Sequence, residues 1–416
     1  MNLVPDFGLR IKDKKLHSPR AKEYRLGMKP VLKAMRKPQP AIRNTSFISV
    51  IILITLIATP MPVLSDNSPE VRLLLGEKLP RVVVSGGTLL VERPDQENWQ
   101  VVIKKVRRAG FSPVRGGVQL DGTTVVAPVF RIKPRKGMLR YAGRPYRGYL
   151  TVLVSAGRLM VVSHMPLESY LAGVVNGEVD SSWPMNAVKA QVVAARSYAL
   201  YQMNTDSLYY DLKTDVTDQV YAGVDSEDER AVEAVKMTRG QVLYKDGELI
   251  QAFFHSSCGG STTSALEVWG VAQPAQEGVY CGECEEAPYA RWKLHLDSGE
   301  IARAVKILYP RVDSVRAMGI HRRTGDGRVQ TLFVETGEGR VLIDAGEFRK
   351  VMGYKRLSST KFSLGMSGDR IVLMGEGYGH GVGLCQWGAR GSALKGMDYR
   401  QILGKYYVGA EVRRAY

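Results

Sequence analysis

Acidic side chains are in short supply: 41 Asp and Glu stand against 58 Lys and Arg, a net charge of +17 over 416 residues. That excess invites a nucleic-acid reading. The usual carriers of one are missing, however: no zinc-finger spacing, no RNA-binding aromatic signature and no heptad-bearing basic region. Nucleic acid is therefore not among the expected partners, and an anionic wall polymer or membrane surface suits the same charge. Internal repeats and low-complexity linkers are also absent, so no clean boundary shows within residues 66–416. Cysteine is rare, at four residues. None of the four closely follows the apolar N-terminal run, which argues against a lipoprotein.

The positive charge is unevenly spread. Residues 1–45 hold twelve Lys and Arg and three Asp and Glu, a net of +9, leaving +8 of the +17 for the rest. Phe47 to Leu64 then runs 18 residues without a charged side chain, between Arg43 and Asp66. The run is at the short end for a membrane span, and Pro60 and Pro62 interrupt its end. Basic residues ahead of it place the N-terminus in the cytoplasm and the bulk of the chain outside. Two readings stand: an uncleaved anchor, or a cleavable signal peptide starting at Met28 or Met35 and processed near Leu64-Ser65. The expected organisation is a basic region at 1–46, a signal or anchor segment at 47–65, a β-rich part at 66–163 and a core at 164–416. An exported, extracytoplasmic protein follows, with the membrane as a partner if the segment is retained.

Short β-branched and leucine-rich runs separated by glycine turns predict strands up to about residue 163. Helical periodicity predicts helices at 184–203, about 227–238, 298–308 and 398–407. Strands are predicted again at 241–244, 249–254, 329–335 and 370–374. Strands and helices without strict alternation indicate an α+β fold.

Two blocks carry the chemistry. The first runs from His164 through Gly173-Val174-Val175 to Glu178, then through Trp183-Pro184 into a predicted helix ending near Met203. Pro184 suits a first helical position, with Ser181 or Ser182 as the cap. Val188, Val192, Ala195, Ala199 and Met203 share one face. Glu178 is expected in an open turn between a buried segment and the start of that helix, where burial raises a carboxyl pKa and a helix N-terminus lowers it. The second block, Gly375 to Gly391, alternates glycine with other residues through Gly383 and contains His380, Cys385, Gln386 and Trp387. Its glycine content implies close approach of backbone to a ligand or another segment. It lacks the strand–turn–helix context and downstream acid of a dinucleotide fingerprint.

Together with His255-Ser-Ser-Cys258-Gly-Gly and Val268-Trp269-Gly270, these blocks resemble the SpoIID/LytB family over roughly residues 70–416. The resemblance implies a peptidoglycan lytic transglycosylase acting on peptide-free glycan strands, with Glu178 as general acid and base. Arg196, His380 and Gln386 are expected to grip sugar or position Glu178; otherwise Arg196 pairs with an acidic neighbour and His380 braces the glycine loop. The runner-up is a wall-bound activator of a cell-wall amidase, after the LytB branch. A third reading is a structural module of the envelope.

His255-x-x-Cys258 and Cys281-x-x-Cys284 have the paired spacing of a tetrahedral zinc site. An oxidising compartment would equally allow a Cys281–Cys284 redox pair or a disulfide at Cys258. The family resemblance favours zinc held by His255, Cys258, Cys281 and Cys284. Cys385 is a departure, since it replaces a family serine and is a weaker hydrogen-bond donor. It reads as a packing or substrate-orienting position, with a nucleophile as the lesser alternative.

The charge asymmetry makes one topological prediction. A reporter fused after Tyr416 should be active only if it functions outside the cytoplasm; cytoplasmic activity would overturn the exported reading.

Overall fold

In the computed structural model the described residues are 67–205, 208–214, 218–221, 223–312, 314–367 and 370–416. The basic region and the 47–64 run lie outside them. Among the described residues no helix is long and apolar enough to cross a membrane. The fold is mixed and strand-rich with eight helices among those residues, an α+β arrangement.

From Glu70 to Pro166 the chain is nearly all strand. The strands Glu70–Leu79, Arg158–Pro166, Tyr149–Ser155, Val129–Tyr141, Val82–Asp95 and Asn98–Val114 lie side by side in that order, joined antiparallel. Three of them have 13, 14 and 17 residues, far longer than the apolar runs that announced them. Alternating Val82 and Val84, then Leu89 and Val91, bury one face against Phe111, Phe130 and Ile132. Between the two pairs a register shift from Ser85 to Leu89 re-phases the strand. Irregularity of this kind lets a long strand keep its apolar side inward as the sheet twists.

Two helices follow directly. Helix α1 spans Leu167–Glu178 and α2 spans Met185–Met203. Pro184 is the N-cap residue of α2 and no side chain caps it, so neither expected serine does. Ser181 instead donates to Asp228 at 2.5 Å, and the Ser182 N–H reaches Asp180 Oδ1 at 2.8 Å. From Ala187 to Ala199 nearly every residue of α2 is buried. Val188, Val192, Ala195 and Ala199 pack with α1 and with α3 (Glu229–Met237). Ala187, Ala190 and Ala194, on another side, pack in a separate core with the C-terminal helices α7 (Gln386–Leu394) and α8 (Tyr399–Tyr406). Before these come α4 (Ala265–Trp269), α5 (Ser298–Leu308) and α6 (Ala345–Met352). A further cluster gathers α5 and α6 around Leu332, Val334 and Phe348 in residues 291–373.

Arg196 lies inside α2 with none of its side chain exposed. Its Nε and Nη2 bond the Glu168 carboxylate at 3.1 and 2.7 Å. Its remaining N–H groups reach Thr238 Oγ1 and the carbonyls of Gln241 and Val235. Glu168 Oε1 also accepts from the Gly240 N–H at 3.0 Å and the Tyr416 hydroxyl at 2.7 Å. All five guanidinium N–H groups are thus engaged, and the substrate-gripping role expected for Arg196 is corrected: it is a core residue binding α1 to α2.

Removing one partner of a buried ion pair leaves the other charge uncompensated, a loss of about 3–5 kcal/mol. Glu168→Gln should therefore lower unfolding stability by that order in denaturant titrations. A change within experimental error would mean the pair is replaceable.

Candidate active site

The turn expected at Glu178 is a helix end. Glu178 is the last residue of α1, and the Val179 N–H closes the helix on Val175 O. Two glycines one turn apart, Gly173 and Gly177, make this end possible. A methyl at Gly177 would meet the Val220 carbonyl oxygen at 2.2 Å, and one at Gly173 the Tyr221 ring at 2.5 Å. Glycine inside a helix costs up to about 1 kcal/mol relative to alanine. Here its small size lets residues 218–221 lie against α1, and the Val220 N–H then reaches Glu178 Oε1 at 2.7 Å.

The other oxygen faces α7. Gln386, the first residue of α7, places Nε2 3.4 Å from Glu178 Oε2 and 3.5 Å from Gln191 Oε1 on α2. Gln191 Nε2 is buried without a protein partner. Glu178 and Gln386 line an open cleft of about 400 Å³ together with Trp183, Trp387, Ser256 and Asp180. The two indoles meet edge to face, centroids 5.0 Å apart. Burial raises the Glu178 pKa to about 7, while the bonds from Val220 and Gln386 pull the other way. A helix C-terminus also disfavours a negative charge. At neutral pH this carboxyl is thus poised between acid and carboxylate, the condition a general acid–base group needs.

The other carboxylates considered do not share that state. Asp180 is exposed, and its bonds to Ser182 hold its pKa below the usual range. Glu168 is committed to Arg196. His380 is braced, as the alternative reading had it: its Nδ1 accepts the Val382 N–H at 3.1 Å, so its Nε2–H donates to Phe254 O at 2.9 Å. Burial and the nearby Arg349 and Arg328 push its pKa down to about 3, so the ring stays neutral. Both nitrogens are occupied by backbone, and His380 has none left for sugar.

The glycine loop is explained by another segment rather than by a ligand. Gly377, Gly379, Gly381 and Gly383 all have positive φ. Side chains there would strike Ser257 O, His255 Cβ, the Arg328 guanidinium and Phe253 O. The loop ends in the strand Leu384–Cys385, which pairs in parallel with Phe254–His255. That pairing delivers Gln386 and Trp387 to the cleft.

It also rearranges the expected metal ligands. The sulfurs of Cys258, Cys281, Cys284 and Cys385 lie within 4.8 Å of one another, all four residues buried and none in a disulfide. His255 is not among them: its Nδ1 bonds Val382 O at 3.1 Å, and its buried Nε2 has no hydrogen-bond partner. Cys385 occupies the fourth place instead. The sequence reading missed this, as it missed Trp183 and Trp387 as cleft residues and Gln191 as a partner of Gln386. The tryptophans within both motif blocks were the available signal.

A family profile described as Stage II sporulation protein matches residues 155–244, and one described as a domain of unknown function matches 281–383. An uncharacterised protein of Brachyspira hyodysenteriae is 32% identical over 272 residues, covering 65% of this chain and 73% of that protein. Stage II sporulation protein D of Bacillus subtilis is 27% identical over 273 residues, covering 61% and 76% respectively. The amidase enhancer of Bacillus subtilis is 27% identical over 287 residues, covering 58% of this chain and 39% of that protein.

The raised pKa has a stability signature. In the unfolded chain Glu178 titrates near 4.5, and in the native state near 7. The native state therefore holds the proton more tightly: the stabilisation is complete below pH 4.5 and is lost as pH rises through 7. Glu178→Gln, which cannot ionise, should remove this decline and be more stable than wild type above pH 7. Parallel denaturation midpoints on both sides of the window test it; an unaltered pH profile would assign the titration elsewhere.

Proposed function

The chain belongs to the SpoIID/LytB family, and on that footing we propose that it is a peptidoglycan lytic transglycosylase with Glu178 as its acid and base. The observation that carries this reading is one carboxyl with a pKa near 7 in a tryptophan-flanked cleft. No second carboxyl of similar acidity lines the cleft among the described residues.

One such group is enough for this reaction. Protonated Glu178 gives its proton to the glycosidic oxygen as the bond from C1 of N-acetylmuramic acid to O4 of N-acetylglucosamine breaks. The carboxylate left behind takes the proton from the muramic 6-hydroxyl as O6 bonds to C1, closing a 1,6-anhydro ring. Charge and protons balance, and Glu178 ends the cycle protonated. Water is not the acceptor, so the paired carboxylates of ordinary glycosidases are unnecessary. Gln386 steadies the carboxylate through Nε2. Trp183 and Trp387 offer large, rigid apolar surfaces suited to pyranose rings. The substrate is a glycan strand outside the cytoplasmic membrane, stripped of stem peptides as the family resemblance implies.

A relative named amidase enhancer supports a second reading, a glycan-binding activator of a cell-wall amidase. Product analysis separates them. Purified protein incubated with peptide-free glycan strands should release 1,6-anhydro ends detectable by mass spectrometry. Glu178→Gln should fold and bind strands but form product ~10²–10⁴-fold more slowly, while Asp180→Asn should stay close to wild type. Wild-type protein that makes no anhydro product yet accelerates an amidase would establish the activator. Near-normal turnover by Glu178→Gln would show that the acid is another residue.

A further inference from the structure

Cys258 follows the strand Phe254–His255, Cys281 and Cys284 lie in irregular chain just before the turn at 285–286, and Cys385 caps the N-terminus of α7. Nothing in the proposed glycan chemistry uses them. We propose that these four cysteines bind one zinc ion as a closed four-thiolate site, with Cys385 rather than His255 as the fourth ligand.

Sulfur spacing is the first argument. A disulfide needs its sulfurs about 2.05 Å apart. Zinc–sulfur bonds of ~2.3 Å in a tetrahedron separate sulfurs by roughly 3.8 Å. Cys258 and Cys284 are 3.5 Å apart, and all four sulfurs fall within 4.8 Å. The cluster thus has the dimensions of a tetrahedral metal centre with all corners supplied by protein.

The surroundings are built for thiolates. Cys385 Sγ accepts backbone N–H groups from Cys258 and Gly388, both at 3.3 Å. The Tyr406 hydroxyl lies 3.1 Å from Cys281 Sγ. Cys385 also sits at the positive end of a nine-residue helix, which favours negative charge. Gly388 is the third piece: a methyl there would meet Tyr406 Oη at 2.1 Å and Cys281 Sγ at 2.4 Å. The glycine is what allows α7 to approach the sulfurs.

Four soft ligands with no open position make the metal structural, not hydrolytic. It ties three separated stretches together and fixes the first turn of α7. Gln386 follows Cys385 directly and touches Glu178, so the site positions the cleft without entering it. The inference stands apart from the glycan-cleavage reading, and its readouts do not involve activity.

Zinc X-ray absorption on the purified full-length protein tests the ligand set without any mutation. Four sulfur neighbours at ~2.3 Å and no nitrogen are expected, with one zinc per chain by elemental analysis. Cys385→Ser should fold, by circular dichroism, but lose more affinity than the ~10–100-fold that an outer-sphere change costs. His255→Ala should keep its metal. A metal-free protein with disulfides, a nitrogen neighbour at the zinc, or undiminished binding by Cys385→Ser would each overturn the proposal.

Discussion

A buried guanidinium cannot be left without its counter-charge, and that requirement organises the centre of this molecule. Arg196 on α2 is closed around Glu168 at the start of α1, with the Val235 carbonyl in α3 and the Thr238 hydroxyl and Gln241 carbonyl beyond it taking the remaining protons. The pair sets how α1 lies on α2, and the far end of α1 is Glu178. Glu178 thus inherits its position from an ion pair almost three helical turns away. The contacts that tune Glu178 are added afterwards: Val220 through the space at Gly177, and Gln386 through α7. Neither would find it if α1 were free to pivot.

The cleft also shows a trade between stability and chemistry. A carboxyl drawn out of water, at the unfavourable end of a helix, weakens the fold as it ionises. The same placement gives it an acidity near neutrality. A glutamine would suit the packing better but could neither give nor take a proton at this acidity. Strain of this sort is tolerated where the surrounding cores are rich, as they are on two sides of α2.

Much of the central frame was legible in the sequence. The apolar spacing of Val188, Val192, Ala195 and Ala199 marked a buried helix face, and the two motif blocks marked Glu178 and Gln386. Helix α1 was not legible as a helix, because Gly173, Val174, Val175 and Gly177 are poor helix formers whose cost is offset by tertiary contact. The long strands after Glu70 were seen only as fragments, since their exposed, twisted stretches carry charged residues that mask the alternation. Arg196 and His380 looked like sugar-binding groups because a sequence names side chains but not their partners. Cys385 met the other cysteines through a two-residue parallel pairing across 130 positions, a contact with no local signature.

The alternation in the glycine loop also governs how that loop can diverge over generations. At Gly377, Gly379, Gly381 and Gly383 any side chain must overcome both the backbone's handedness and an atom already in place. At Tyr378 and Val382 a replacement alters a side chain and leaves the path of the chain intact, whereas at His380 it also removes the bonds to Phe254 O and the Val382 N–H. Heritable variation is therefore channelled into every second position, like a text in which alternate letters are printed and only the ones between can be rewritten. New chemistry in this loop has to be spelled in that half of the alphabet.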